Sequence, residues 1–332
     1  MSDVPSQSAV DQSRALAAGE ISSRELVELY LRRGRRSAGA VIMGKSNMPP
    51  GNQDVQADNA VFGPSLNPWD TTRTSGGSAG GGAVVTAAGL AAFDFGSDIG
   101  GSTRIPAHFN GLYGHKSTWR SVPLSGHVPY GPGMGWWTDA DMACGGAQVR
   151  DARDLVPILR AAAGTADHDA GFSYMLAPPR ATKLSDFRVA VWGEDPSCPV
   201  GSDVAAAVDD AVTALRAADV KVTIRPASLP VDIASNHPPT AAPAHHNKLI
   251  DRFGRPYEVD GVRRPYWDQI KWNAVANVSG GPATTIPVRK GRNGLPIGLQ
   301  AMGPSGGDLT IIECAALLSR EVEGFVPPPA FA

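Results

Sequence analysis

Two serines stand in glycine-rich stretches 24 residues apart (102 minus 78): Ser78 in TSGGSAGGGAVV, residues 74–85, and Ser102 in GSDIGGSTRIP, residues 96–106. A serine hydroxyl at its ordinary pKa is a weak nucleophile and needs a base within hydrogen-bond reach. Glycines beside it leave backbone N–H groups free to face a ligand oxygen, the arrangement that stabilises an oxyanion. The pair therefore reads as a nucleophile with a proton relay, set against ordinary hydroxyl-capped turns. Neither stretch carries the GK[ST] of a phosphate-binding loop or GxGxxG after a strand, so nucleotide binding is disfavoured.

Bases near these serines in sequence are few. Lys45 and Lys116 are the neighbouring lysines, and His108 follows Ser102 by six residues in PAHF. Each has a plainer reading: Lys45 as a loop cap, Lys116 as a residue ordering the loop behind Ser102, and His108 as a packed core histidine. His115 and His127 fall in loops with no evident partner, and the adjacent His245 and His246 would diverge on a strand, which gives no metal site. Cys144, Cys198 and Cys314 lie far apart and outside any CxxC spacing, so no disulfide framework or zinc site is expected and a reducing cytoplasm fits. No cofactor is called for.

The chain has 30 Lys and Arg against 32 Asp and Glu, a formal charge of -2, without the basic excess of a nucleic-acid binder. The RRGRR cluster, Arg32 to Arg36, reads as the solvated last turn of a helix. No stretch approaches the ~20 apolar residues of a membrane span. Nucleic acid and membrane are thus excluded as expected partners, and homo-oligomerisation is left open.

The elements that must position the serines follow from periodicity. ISSRELVELYLRR opens on a capping-box spacing, Ser22 to Glu25, and continues as an amphipathic helix, while Ala40 to Met43 reads as a short buried strand. Residues 49–74 read as an extended loop. A helix of small residues from Gly81 to Ala88 and a strand from Leu90 to Phe95 follow. Further helices are expected at 149–163, 204–217 and 309–323. Strands are expected at 187–192 and 220–224, these two paired in parallel, and as a hairpin turning at Arg292, Asn293 and Gly294. The result is an α/β protein with a mixed central sheet covered by helices.

The run GGSAGGGAVVTAAGLAAFDFGSDIGGSTRIPAHFNGLYGHKST resembles the signature of the amidase signature family, which hydrolyses carboxamides with a Ser, cis-Ser, Lys triad. The likeness extends to GAVIMGKSNMP and LNPWDTTRTSGG before it, and to GAQVRDARDLVPIL and GGPATTIPVRKGRNGLPIGLQAMGP after it. It implies one amidase signature domain over 1–332. In that domain Ser102 is the nucleophile and Ser78 the cis-peptide serine that relays its proton. The resemblance further implies an oxyanion hole from the N–H groups of Ile99, Gly100, Gly101 and Ser102, with Asp98 and Arg104 bracing the loop. The substrate implied is a small-molecule amide, and Met134, Trp136 and Trp137 are candidate pocket walls for an apolar acyl group.

The sequence departs from the family at one point. The family's lysine lies in a GVPVxVKD-like stretch several tens of residues before the GKSN-type segment, and no such stretch occurs here. Set against the family pattern, the resemblance implies a deletion near 34–38 and another near 235–245. Two readings remain: an amidase that forms a serine acyl-enzyme, or a catalytically impaired homologue that binds or does nothing.

Overall fold

Five strands form the sheet on which both glycine turns rest. The computed structural model describes Glu20 and residues 42–124, 127, 140–165, 174–196, 198–224 and 257–332. The helix expected from Ser22, the Arg32 to Arg36 cluster, Ala40, Val41, the positions of both expected shortenings, Met134, Trp136, Trp137, His245 and His246 lie outside those residues. The chain divides into two units, Met1–Lys45 with Leu124–Asp139, and Ser46–Pro123 with Ala140–Ala332. Every strand and helix among the described residues belongs to the second.

In chain order, the strands before the glycine turns are β1 (Asp58–Asn59), β2 (Gly63–Pro64), β3 (Leu66–Asn67) and β4 (Asp70–Thr74). Then come helix α1 (Gly80–Ala87), strand β5 (Phe93–Asp98), helix α2 (Arg104–Asn110), and strands β6 (Tyr113–Lys116) and β7 (Cys144–Val149). Helix α3 (Leu155–Ala162), strand β8 (Arg188–Val191), helix α4 (Ser202–Ala217) and strand β9 (Lys221–Ile224) form the middle of the chain. The last part holds β10 (Tyr257–Val259), β11 (Val262–Arg264), helix α5 (Lys271–Val278), β12 (Ala283–Lys290), β13 (Pro296–Met302) and helix α6 (Asp308–Leu318).

The main sheet has the order β13-β12-β6-β7-β5, with every pair antiparallel. Expected and observed elements agree for α1, α4, the parallel β8–β9 pair and the β12–β13 hairpin. The helix expected at 149–163 begins only at Leu155, because Val149 closes β7, and the one expected at 309–323 ends at Leu318. Three further expectations need correction. Ile42 and Met43 are exposed and outside any strand, because four apolar residues in a row carry no signal of whether a neighbour covers them. Residues 58–74 contain two small antiparallel hairpins in place of a bare loop. The strand at 90–95 is displaced to Phe93–Asp98: Leu90 is exposed, and the ladder with β7 continues to Asp98 because small and polar residues fit between sheet and helix.

Alternation along the strands divides the sheet into two faces. One face carries Tyr113, Ala147, Val149 and Ile286, packed with Leu155 and Leu159 of α3 and Leu309 and Ile312 of α6 in the largest core cluster. The other face lies under α1 and α2, whose Ala83, Ala87 and Ala107 pack with Leu112. Each large aliphatic side chain buried here contributes about 1.5–3 kcal/mol by removal from water. The first face supplies mass for stability, while the second, lined by small residues, lets backbone approach backbone.

Candidate active site

The glycine run around Ser78 is a region of close backbone approach. A Cβ on Gly77 would lie 2.4 Å from the Gln56 nitrogen, one on Gly81 2.5 Å from the Asn47 nitrogen, and one on Gly82 2.0 Å from Asp94 Cγ. A flexible linker would meet no such walls. The Gly77–Ser78 peptide bond is cis. Ser78 is buried, and Ala79 ties its turn to the sheet by accepting a hydrogen bond from Gln148 Nε2 at 3.0 Å.

The second turn meets the first directly: Ala79 N–H donates to the Ser102 carbonyl at 3.1 Å. The structure therefore brings the two serine turns together. Gly101 adopts φ 112°, and a Cβ there would fall 2.8 Å from both Asn273 Cβ and Ile105 Cδ1, so only glycine fits. Among the described residues neither the Ser78 nor the Ser102 hydroxyl is hydrogen-bonded, and the N–H groups of Ile99, Gly100 and Ser102 have no acceptor. Gly101 differs from the other three expected donors, because its N–H is given to Asp98 Oδ1 at 2.9 Å.

Asp98 and Arg104 form the rigid base of this turn. Both are fully buried, with Arg104 Nη2 to Asp98 Oδ1 at 2.7 Å and Nε to Oδ2 at 3.0 Å. Asp98 Oδ2 also accepts from the N–H of Thr103 at 3.2 Å and of Arg104 at 3.4 Å. Burial alone would raise the carboxyl's pKa, but the Arg104 charge and hydrogen bonds, with help from Lys116, hold it down to about 2. Arg104 is further bound by the Asn273 carbonyl at 2.9 Å, by Asn277 Oδ1 at 2.6 Å and by Gln300 Oε1.

Sequence reasoning missed these three partners. One signal was partial: Asn273 and Asn277 stand four apart and so share one face of the short helix α5, although Asn273 meets Arg104 through its backbone carbonyl and only Asn277 through its side-chain amide. Nothing local in Gln300 marks its role.

Register explains where the candidate bases stand. Asp98 lies opposite Cys144 and Lys116 opposite Gly146, so Asp98, Cys144 and Lys116 share the face under α1 and α2. Lys116 is fully buried, and its Nζ donates to the Ser117 carbonyl at 2.9 Å and contacts Cys144 Sγ at 3.3 Å. It makes no hydrogen bond to either serine. Burial lowers the Lys116 pKa and raises that of Cys144.

His108 offers no lone pair to a substrate proton: Nδ1 accepts from Gly298 N–H at 2.8 Å, which leaves the neutral ring's hydrogen on Nε2. Burial pushes its pKa down to about 4. His115 is not in a loop as expected. It is buried on β6 with Nδ1 at 2.9 Å from Thr284 Oγ1 and Nε2 at 3.3 Å from Asp308 Oδ1, on the opposite face. Among the described residues, no three His, Cys, Asp or Glu side chains are grouped to hold a metal ion, and no helix is long and apolar enough to cross a membrane.

The chain is 35% identical over 240 residues to a Glutamyl-tRNA(Gln) amidotransferase subunit of Aromatoleum aromaticum, a match that covers 69% of this chain and 45% of that protein. It is 40% identical over 161 residues to the protein of the same name from Deinococcus radiodurans, covering 48% of this chain and 30% of the relative. The chain thus spans less than half the length of these relatives.

Among solved structures, the Thermotoga maritima Glutamyl-tRNA(Gln) amidotransferase subunit superposes with a TM-score of 0.71 at 20% identity, covering 90% of this chain and 78% of that one. The 6-aminohexanoate cyclic dimer hydrolase in complex with substrate gives a TM-score of 0.69 at 21% identity, covering 91% and 80%. At these identities the structures establish the fold. Residues 32–232 match the sequence model of the Amidase family, and with the paired serine turns on this sheet the chain belongs to that family, the amidase signature proteins.

Proposed function

We propose that this chain cleaves the C–N bond of a small-molecule carboxamide through an acyl-enzyme on Ser102. Ser102 Oγ attacks the carbonyl carbon, and its proton passes by way of Ser78 to the departing amine. The acyl-serine is then hydrolysed by water. The tetrahedral oxyanion is held by the N–H groups of Ile99, Gly100 and Ser102. Gly101 has a different part: its bond to Asp98 fixes the turn on which the other donors stand. The observation that carries the reading is three N–H groups beside a serine hydroxyl, none of them hydrogen-bonded among the described residues. Removing one donor of this kind typically costs about 3–4 kcal/mol of transition-state stabilisation.

A second reading, an impaired homologue that binds carboxamides without efficient turnover, is favoured by the state of the bases. Among the described residues Lys116 is committed to Ser117 and Cys144, and the His108 lone pair is occupied by Gly298. Without a base, serine hydrolases retain roughly 10³- to 10⁴-fold acceleration over water from the oxyanion hole and binding.

Intact-mass labelling with a fluorophosphonate probe decides between the two, with Ser102→Ala as control. Labelling confined to Ser102 is the expected result. A folded wild-type protein that stays unlabelled refutes the acyl-enzyme and leaves the binding reading.

A further inference from the structure

One stretch of chain more than 160 residues from either serine in sequence touches the supports of both turns. On the Ser102 side, Asn277 Nδ2 lies 3.0 Å from the Asp98 carbonyl, 3.1 Å from Asp98 Oδ1 and 3.0 Å from the Met142 carbonyl, while its Oδ1 accepts from Arg104 Nη2 at 2.6 Å. The Asn273 carbonyl takes another Arg104 proton at 2.9 Å. On the Ser78 side, the Tyr266 hydroxyl donates to Asp54 Oδ1 and accepts from Gln56 Nε2 at 2.9 Å. The backbone of Asp54 to Gln56 is the wall against which Gly77 packs, and Ala57 N–H bonds the Gly76 carbonyl at 3.1 Å.

We infer that residues 266–278 form a clamp that sets the placement of Ser78 relative to Ser102, with Tyr266 and Asn277 as its positioning residues. The roles of the two serines rest on the function proposed above, whereas the mechanical role of the clamp does not. Tyr266 and Asn277 are 4% and 2% exposed. A buried polar side chain destabilises the fold unless its partners are complete, so their polar groups fit the neighbouring turns better than an apolar filler would. The clamp also accounts for the joint between the turns: Ala79 N–H reaches the Ser102 carbonyl only while both supports hold station.

Amide hydrogen exchange tests this in Tyr266→Phe and Asn277→Ala, read at Ala79, Ala57 and Gly101, with Ile286 in β12 as reference. Loss of one buried hydrogen bond corresponds to roughly a tenfold change in local opening. Asn277→Ala is expected to speed exchange at Gly101 and Ala79 by about that factor or more, and Tyr266→Phe at Ala57 and Ala79, with Ile286 unchanged. Unchanged exchange at Ala79 in both variants, or equal acceleration at Ile286 in both, overturns the clamp.

Fluorophosphonate kinetics give the second readout. Both variants should lower the maximal labelling rate of Ser102 while leaving the half-saturating probe concentration nearly unchanged, a split that a loss of bulk stability would not produce. Unlabelled wild-type protein sinks the serine mechanism, and the exchange data still decide the clamp.

Discussion

Asp98→Asn is nearly isosteric and isolates the charge at the base of the Ser102 turn. In the native site Oδ2 faces three donors, the N–H groups of Thr103 and Arg104 and the Arg104 Nε. Oδ1 faces three more, Gly101 N–H, Arg104 Nη2 and Asn277 Nδ2. An amide placed there must turn its own NH₂ toward one of these sets, and either orientation sets donor against donor. The Arg104 guanidinium, fully buried, also loses its counter-ion. Breaking one side of a buried ion pair typically costs about 3–5 kcal/mol, and the carbonyl and amide oxygens still on Arg104 place this case near the lower figure.

Urea unfolding at neutral pH measures that loss, and its pH dependence isolates the cause. The native carboxyl sits at about 2 against an ordinary value of 3.8. Its folded pKa is depressed, so the stability it contributes is complete above about 4 and disappears as pH falls through about 2, a span worth about 2 kcal/mol. The gap between wild type and Asp98→Asn should therefore narrow by about that amount over the same range. A neutral-pH loss under ~1 kcal/mol, with a gap independent of pH, would refute the claim that Asp98 neutralises Arg104.

Two other perturbations test neighbouring parts of the reasoning. His108 should remain the neutral Nε2–H tautomer through the usual histidine range and protonate near its value of about 4; a nitrogen-detected titration showing protonation between about 6 and 7 contradicts the Gly298 bond. Its depressed pKa also removes stability as pH falls from the ordinary 6.5 through about 4, since the unfolded ring takes up the proton first. Gly82→Ala would set a methyl 2.0 Å from Asp94 Cγ, whereas Gly89, at φ 73°, opens to empty space. Denaturant unfolding should show about 1–3 kcal/mol or more lost at Gly82 and about 1 kcal/mol at Gly89; equal costs would mean that α1 does not press on β5 as described.

What was legible in the sequence was local. The small residues of α1 declare close packing, the two glycines before Ser102 declare a turn whose backbone is open to close approach, and the alternation in PIGLQAM declares a strand beside a turn of Arg, Asn and Gly. Those signals depend on side-chain volume, backbone freedom and period, which each residue carries with it. His115 shows the limit: its two partners, Thr284 and Asp308, lie 169 and 193 residues away, and nothing in YGHKST names them.

The sequence by itself determined that two serine turns would exist, that glycine would dominate them, and that helices would cover a sheet. Only the tertiary structure decided which N–H groups stay uncommitted. Gly100 and Gly101 are alike as sequence, and the carboxylate of Asp98, held by Arg104, selects Gly101 alone among the expected donors. It also decided that His108 and Lys116 are occupied, and that Asn277 reaches back to Asp98. Hydrogen-bond commitment is a property of pairs, and the second member of each pair is fixed by how the chain returns through space.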